Sequence, residues 1–451
     1  MTTVAASPIP TATGALPLLG HAIPLLRDNL AFIASLRDYG PLVRIHLQPR
    51  QSTVVVNEPA LIRAMLVDLA PGLDKGRFFE KMGQVLGGDS VVTAAGSDHV
   101  RKRRQLQPAF RHDEIARYVD LMRHEVVCTA EAWTPGGTLN VREAMVKLSL
   151  DMLAATVFAS SLDEQAFRRL RRDLSVVMNG VGARVMLPDW VERLPLPANW
   201  RFNSSRAAVR DIVGGAVNGL RASGHDTGDM LSTLLRAEDP ETGRPMTVHQ
   251  ICSEVLTLAV AGTETTASVL SWVLYELARN PEVDARLQKE LEDVLEGRAV
   301  TFADLPRLPY LRNVITEALR LHHTGWLVTR RTLAAVRLGD WEIPPGTELA
   351  YCQHALHRDA SLFPDPLRFD PDRWLDETWQ AALPDGAFLP FGAGKHKCIG
   401  DHFAMTELAT AIATLARMWR LDLTSGREVR PEARATVRPS TLMMTPRRRE
   451  P

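Results

Sequence analysis

The sequence predicts a chain that is mostly helical with some strand, and its patterning carries that expectation. Apolar residues recur at three- and four-residue steps in long stretches. Ile251, Val255, Leu258, Val269, Trp272, Val273 and Leu277 form one such stripe, and Phe403, Leu408, Ile412, Leu415 and Trp419 form another. Short strand-like runs occur near the start, at Leu42 to Leu47 and Thr53 to Val56. No glycine-serine linker, internal repeat or low-complexity segment divides the 451 residues. The expected organisation is therefore a proline-rich segment at 1–24 followed by one domain at 25–451.

Composition bounds the function. With 53 basic against 53 acidic side chains and 45% hydrophobic residues, the chain reads as an ordinary globular protein and not as a general nucleic-acid binder. Met1 to Pro24 holds several prolines and no long apolar run, so neither a secretory signal nor a membrane anchor is expected. Cys128, Cys252, Cys352 and Cys398 form no CxxC pair, which points to a reducing cytoplasm.

Along the chain, a helix is expected after Gly96, with His99 and Arg103 four apart on one face. The run Ala261-Gly262-Thr263-Glu264-Thr265-Thr266 interrupts the first stripe with a glycine and β-branched threonines, each costly inside a helix. Such a local conflict marks a functional site or, on the residues alone, threonines that bond back to carbonyls one turn earlier. Glu317 and Arg320 share one face of a helix from Leu311 to His322, and an isolated pair of this spacing is normally a solvated surface bridge. Trp326 to Arg331 reads as a strand, and Arg373 follows within Phe369-Asp370-Pro371-Asp372-Arg373-Trp374.

The most informative segment is Phe391-Gly392-Ala393-Gly394-Lys395-His396-Lys397-Cys398-Ile399-Gly400, ahead of the second helical stripe. A lone cysteine here could be a buried small apolar residue. In a glycine-rich loop before a helix N-terminus, it could equally be a thiolate that ligates a metal, since glycines permit close backbone approach and the helix end favours an anion. The spacing F-G-x-G-x-H-x-C-x-G resembles the haem-binding loop of the cytochrome P-450 family, whose haem iron is held by a cysteine thiolate.

That resemblance spans nearly the whole chain, from Pro17 to a late turn near Pro439, and it implies the fold and the site together. The fold would be mainly α with a smaller β-rich part, the cytochrome P-450 fold, a triangular helical prism around a buried haem. The cofactor would be haem b, iron protoporphyrin IX, with Cys398 on the metal and Phe391, Gly392, Gly394 and Gly400 shaping its loop. Ala261 and Gly262 would leave room for dioxygen, while Glu264 and Thr265 would serve catalysis by supplying the two protons that O–O cleavage consumes. His99, Arg103, Arg330 and His396 would meet the haem propionates, and Arg330 is preferred over Arg331. Glu317, Arg320 and Arg373 would form a structural network that anchors the cysteine loop.

The chain lacks a G-x-G-x-x-G unit and a cysteine cluster, so electrons must come from outside. The resemblance implies a ferredoxin with an NAD(P)H-dependent reductase, docking on Lys395, Lys397 and some of Arg101, Lys102 and Arg104. Candidate substrate contacts, by analogy, are Phe78, Phe79, Met82, Val91, Leu258, Ala259, Trp326, Leu327 and Leu442. Their apolar character favours a terpene or terpenoid, as in bacterial pentalenene-type oxygenases; fatty acids, steroids and polyketides are the alternatives. A peroxide-dependent enzyme or a non-catalytic haem protein are the competing classes.

Overall fold

The computed structural model describes residues 8–48, 51–86, 88, 90–158, 161–186, 189–224, 226–424, 429–434 and 436–449. Residues 1–7 of the expected proline-rich segment thus lie outside the described residues. The chain forms two compact units, one from residues 1–80, 316–398 and 432–438, the other from residues 81–315, 399–431 and 439–451.

In the first unit, strands Leu42–Gln48 and Gln51–Val56 pair antiparallel, as their β-branched composition predicts. Gln51–Val56 then runs parallel to Glu348–Tyr351, which pairs antiparallel with Val328–Thr332, and Leu73–Asp74 closes the five-stranded order. Alternation along the strands sends neighbouring side chains to opposite faces. Val54 and Val56 join an apolar cluster with Leu42, Leu349 and Tyr351, whereas Val55 joins Val43 and Ile45 in another. The cysteine loop enters from the first cluster, because Leu389 is one of its members.

The second unit is helical, and its spine is the helix Val248–Arg279. A capping box starts it: the Gln250 amide donates to Thr247 Oγ1 at 3.2 Å, and the Thr247 amide donates to Gln250 Oε1 at 2.8 Å. Asn280 and Pro281 end it. This helix packs against Val141–Phe158, Pro197–Ser223 and Asp401–Met418, which explains why Ile251, Val255, Val269, Trp272 and Val273 are all at most 3% exposed. It runs continuously through Ala261–Thr266, so packing overrides the poor local propensity of that run. A three-stranded sheet of Leu139–Asn140, Met443–Arg448 and Trp419–Leu423 completes the unit.

Expected and observed elements differ mainly at their ends. The helix expected from Leu311 to His322 spans Pro309–Leu321, and the strand expected over Trp326 to Arg331 spans Val328–Thr332. Among the described residues, no helix is long and apolar enough to cross a membrane.

Candidate active site

The loop that carries Cys398 is built by backbone geometry. Gly392 and Gly394 have φ of +69° and +67°, the left-handed region where a side chain is strained. At Gly394 the reason is close approach within the protein itself: a Cβ would sit 2.1 Å from the Leu66 carbonyl oxygen. That glycine was expected to make room for a flat ligand, and the Leu66 backbone is what forbids a side chain there. At Gly392 a Cβ would meet nothing within 4 Å, so that side of the loop is open. A single turn of 3₁₀ helix, Gly394–His396, follows, and the Cys398 amide closes the loop by donating to the Phe391 carbonyl at 2.9 Å. Gly400 has an ordinary φ of −97° and caps the helix Asp401–Met418.

Cys398 stands apart from the buried thiols of the chain. Cys252 and Cys352 are buried, and desolvation pushes both thiols up to about 11, which keeps them protonated and inert. Cys398 is exposed, at the end of a loop whose backbone fixes its position. Cys128 is exposed too, but it lies on a regular helix with His124 Nε2 3.6 Å from its sulfur.

The helix Val248–Arg279 carries the expected run Ala261 to Thr265. It is buried from Ile251 to Thr257 and again from Thr266 to Leu277, yet between these stretches Leu258, Val260, Gly262, Glu264 and Thr265 are partly uncovered and Ala261 is exposed. A small-residue window in an otherwise covered helix is space for a ligand that the protein chain does not fill. The Thr265 hydroxyl is 2.8 Å from the Ala261 carbonyl and 3.2 Å from the Gly262 carbonyl, the back-bonding that the sequence left open. These bonds fix the hydroxyl and leave its oxygen able to accept a further hydrogen bond.

Arg330 is a buried cation with few partners of its own. It is 6% exposed, and Nη1 donates to the Thr329 carbonyl at 2.7 Å, but among the described residues no carboxylate pairs with it. Burial therefore depresses its pKa, an unfavourable state for a guanidinium. Lys395 lies close enough for Arg330 to add to the desolvation that lowers the lysine pKa as well. Neighbouring Arg331, by contrast, is held by Asp74 at 2.6 Å and by Glu80. Asp74 also acts on Arg330, but it is already bonded to Arg331 and to the Gly76 amide, so two partly or fully buried cations without a carboxylate paired to either would suit a carboxylate-bearing cofactor. His99 is buried and Arg103 partly buried on one helix, Gly96–Leu106; His396 ends the 3₁₀ turn of the loop.

Glu317, Arg320 and Arg373 do come together, and not as a surface bridge. Glu317 and Arg320 are both 0% exposed; Glu317 Oε1 accepts from Arg320 Nη2 at 2.7 Å and Arg373 Nε at 3.3 Å. Oε2 accepts from Arg320 Nε and from the Trp374 indole, both at 2.9 Å.

Other expectations fare unevenly. Phe78 is 38% exposed and stacks edge-on against Phe79, with centroids 5.4 Å apart; Trp326 and Leu327 are partly uncovered. Leu442 is 0% exposed, Ala259 1% and Val91 3%, and Met82 is also buried at 8%; close packing leaves Leu442 and Ala259 no surface to offer a substrate. The docking patch shrinks likewise. Lys102 is 4% exposed, and Arg101 is engaged by Asp239 at 2.8 Å and Asp98 at 3.0 Å, which leaves Lys397 and Arg104 as exposed cations.

Sequence reasoning passed over Glu407. It lies in the helix Asp401–Met418, in register with Phe403 and Ala411 on the covered face, and Oε2 accepts from Thr266 Oγ1 at 3.0 Å. Burial pushes its carboxyl up to about 8. An acid four residues after Phe403, inside an apolar stripe, was the available signal.

Comparison with known proteins agrees with this geometry. The Cytochrome P450 family model matches residues 10–449. Cyclooctat-9-en-7-ol 5-monooxygenase of Streptomyces melanosporofaciens is 43% identical over 412 residues, covering 91% of this chain and 89% of the relative. Pentalenene oxygenase of Streptomyces avermitilis is 36% identical, covering 95% and 94%. Among solved structures, a cytochrome P450DA heme domain aligns with a TM-score of 0.86 at 26% identity and 99% coverage of both chains. A family model that matches nearly the whole chain and a relative 43% identical over most of its length show that the chain belongs to the cytochrome P450 family as a monooxygenase.

Proposed function

We propose that this monooxygenase holds haem b through Cys398 and hydroxylates a cyclic terpene or terpenoid, with electrons from a ferredoxin and its NAD(P)H-dependent reductase. The observation that carries the reading is the window from Leu258 to Thr265, where Leu258, Val260, Ala261 and Gly262 are at least partly uncovered in a helix that is buried on both sides of it. Two relatives act, by their names, on cyclooctat-9-en-7-ol and pentalenene, which supports the terpenoid assignment. Bound haem supplies oxygen activation at a thiolate-ligated iron. The chain does the rest.

Cys398 provides the ligand, and Phe391, Gly392 and Gly394 keep its loop in shape. Arg330, with Lys395 near it, neutralises propionate charge; His99, Arg103 and His396 are assigned to the same task. Ala261 and Gly262 leave space on the oxygen side, where Thr265, steadied by the Ala261 carbonyl, holds a proton-bearing hydroxyl and Glu264 exchanges protons with solvent. Phe78, Phe79, Trp326 and Leu327 exclude water from the apolar substrate. Each unit is assembled from segments far apart in sequence, so residues 25–451 are read as one domain. Lys397 and Arg104 meet the acidic ferredoxin. The chain's four free thiols fit a cytoplasmic setting.

The test is a substrate panel on the purified holoenzyme, read first by the spin-state change of the haem and then by product formation with ferredoxin, reductase and NADPH. Cyclic terpenoids should shift the spectrum and turn over. A shift with fatty acids and none with any cyclic terpenoid would overturn the substrate assignment. Turnover driven by peroxide alone, at the same rate, would overturn the ferredoxin route. Thr265→Ala should retain haem while diverting reducing equivalents to peroxide, and unchanged coupling would remove its proton role.

A further inference from the structure

Four histidines are buried in the unit that carries the cysteine loop: His322, His323, His354 and His357, none more than 7% exposed. None has a role in the site described so far. Two of them bond directly to the segment that leads into the loop. The Leu389 amide donates to His357 Nε2 at 3.3 Å, and His323 Nε2 lies 3.1 Å from the Pro390 carbonyl. Gln353, one helical turn before His357, donates to the Leu389 carbonyl. The two imidazoles meet edge to face with centroids 5.2 Å apart, and Phe388 packs on His357 at 5.1 Å. Since proline has no N–H, these three side chains meet the remaining polar backbone groups of Leu389 and Pro390 immediately before Phe391.

One bond fixes the tautomer of His357. His357 accepts at Nε2, so its proton is on Nδ1. His323 Nδ1 lies 2.9 Å from both the amide and the carbonyl of Gly325, and Nε2 lies 3.1 Å from the Pro390 carbonyl, to which it donates when Nδ1 accepts from the amide. Both rings act as neutral groups. The charged neighbours that bear on the pair are cations, Arg320 and Arg358 from the flanking elements, and the buried His322 and His354 belong to the same cluster. His354 Nδ1 lies 2.6 Å from Arg358 Nη1; the Glu317 carboxylate is already shared by Arg320 and Arg373, and Asp359, two residues after His357, is paired with Arg37. A second proton on either ring finds no counter-charge, and on His357 it also removes the acceptor that holds Leu389.

We propose that His323 and His357, both uncharged, are positioning residues that clamp Leu389 and Pro390 and so hold the loop bearing Cys398 in ligating geometry. Acid should release the clamp and with it the thiolate ligand. The inference rests on Cys398 being that ligand. The sign follows from burial: the folded environment lowers the affinity of both histidines for a proton, His323 to about 4 from 6.5. The clamp is therefore intact above the unfolded value and lost as pH falls towards the folded one.

The test uses the reduced, carbon monoxide-bound holoenzyme, titrated downward from neutral pH, with helicity followed by circular dichroism. Wild type should pass from the shifted Soret band of thiolate ligation to the unshifted band between pH 6.5 and about 4, with a slope of about two protons, before helicity is lost. His357→Gln and His323→Gln each preserve an uncharged partner for the backbone. Each should keep the shifted band at neutral pH and titrate with about one proton, at a midpoint lower by about one pH unit. His357→Leu should lose the shifted band at neutral pH while helicity stays, and Gln at that position should rescue it. Wild type that keeps the shifted band down to about pH 4, or Gln variants that titrate like wild type, would overturn the clamp. Absence of the shifted band from wild type at neutral pH would instead overturn Cys398 as the ligand, and the clamp's function with it.

Discussion

Replacement of Glu317 by alanine should cost the protein a large part of its stability. The carboxylate is 0% exposed and accepts from Arg320 Nε and Nη2, Arg373 Nε, the Trp374 indole and the Asp370 amide. Arg320 uses its remaining N–H groups on the carbonyls of His357, Pro366 and Arg368. Removal of the carboxylate therefore leaves two guanidinium groups inside the protein with their charge uncompensated. Breaking a buried pair in this way costs about 3–5 kcal/mol, against a total stability of roughly 5–15 kcal/mol. At roughly 2.1 cal/mol/K of unfolding entropy per residue, 451 residues correspond to about 0.95 kcal/mol/K, so a loss of about 4 kcal/mol lowers the midpoint by about 4 °C. Calorimetry on holoprotein measures this directly. The control is Glu164→Ala, whose partner Arg168 is 63% exposed and whose pair is worth under about 1 kcal/mol. If Glu317→Ala melts within 1 °C of that control (roughly the shift expected for a surface pair), the buried network does not anchor the loop.

Three further outcomes can be checked independently. Cys398→Ser should abolish the shifted carbon monoxide band, whereas Cys128→Ser, at the other exposed thiol, should leave it intact. Arg330→Leu should weaken haem retention about ten- to a hundredfold, the value of one charge-assisted hydrogen bond of about 1.5–3 kcal/mol, as measured by transfer to a haem acceptor. The same change in Arg331, which has its own carboxylates, should spare the haem and cost stability. Glu407→Gln should remove a pH dependence. The folded carboxyl holds its proton up to about 8 while the unfolded one releases it above 4.5, so wild-type stability falls across that interval by up to about 1.4 kcal/mol per pH unit. Denaturation midpoints of the glutamine variant should lose this downward contribution, and a pH dependence equal to that of wild type would show that Glu407 is ionised in the fold.

What could be read from the sequence depended on whether a feature is local. The alternation of Val54, Val55 and Val56 specifies a strand and its two faces without knowledge of the partners. The stripe through Val255, Trp272 and Leu277 specifies a helix in the same way, and packing carried it through Ala261–Thr266, where propensity alone argues for a break. The role of Gly394 was not legible, since the Leu66 carbonyl that excludes a side chain there is more than 300 residues away. Val91, Ala259 and Leu442 were legible as apolar but not as covered, because an apolar residue in a pocket and one in the core share the same chemistry. The four histidines were invisible for a related reason: His322, His323, His354 and His357 form a cluster only when two distant segments fold together.

The electrostatics of the two arginines at the end of the sheet strand Val328–Thr332 carry the argument one step further. Adjacent residues on a strand face opposite ways, so Arg330 and Arg331 sample different surroundings with the same backbone. Arg331 faces Asp74 and Glu80 and keeps its charge at no cost. Arg330 is buried with a single carbonyl bond, a lysine near it, and an Asp74 carboxylate whose hydrogen bonds go to Arg331 and the Gly76 amide. A folded chain retains such a residue when an anion completes it, and the penalty it imposes in that anion's absence becomes binding energy when the anion arrives. Arg330→Leu should therefore stabilise the cofactor-free chain even as it weakens haem retention. Opposite signs in those two measurements would identify Arg330 as a group kept for the cofactor; a loss in both would make it a structural residue of the sheet.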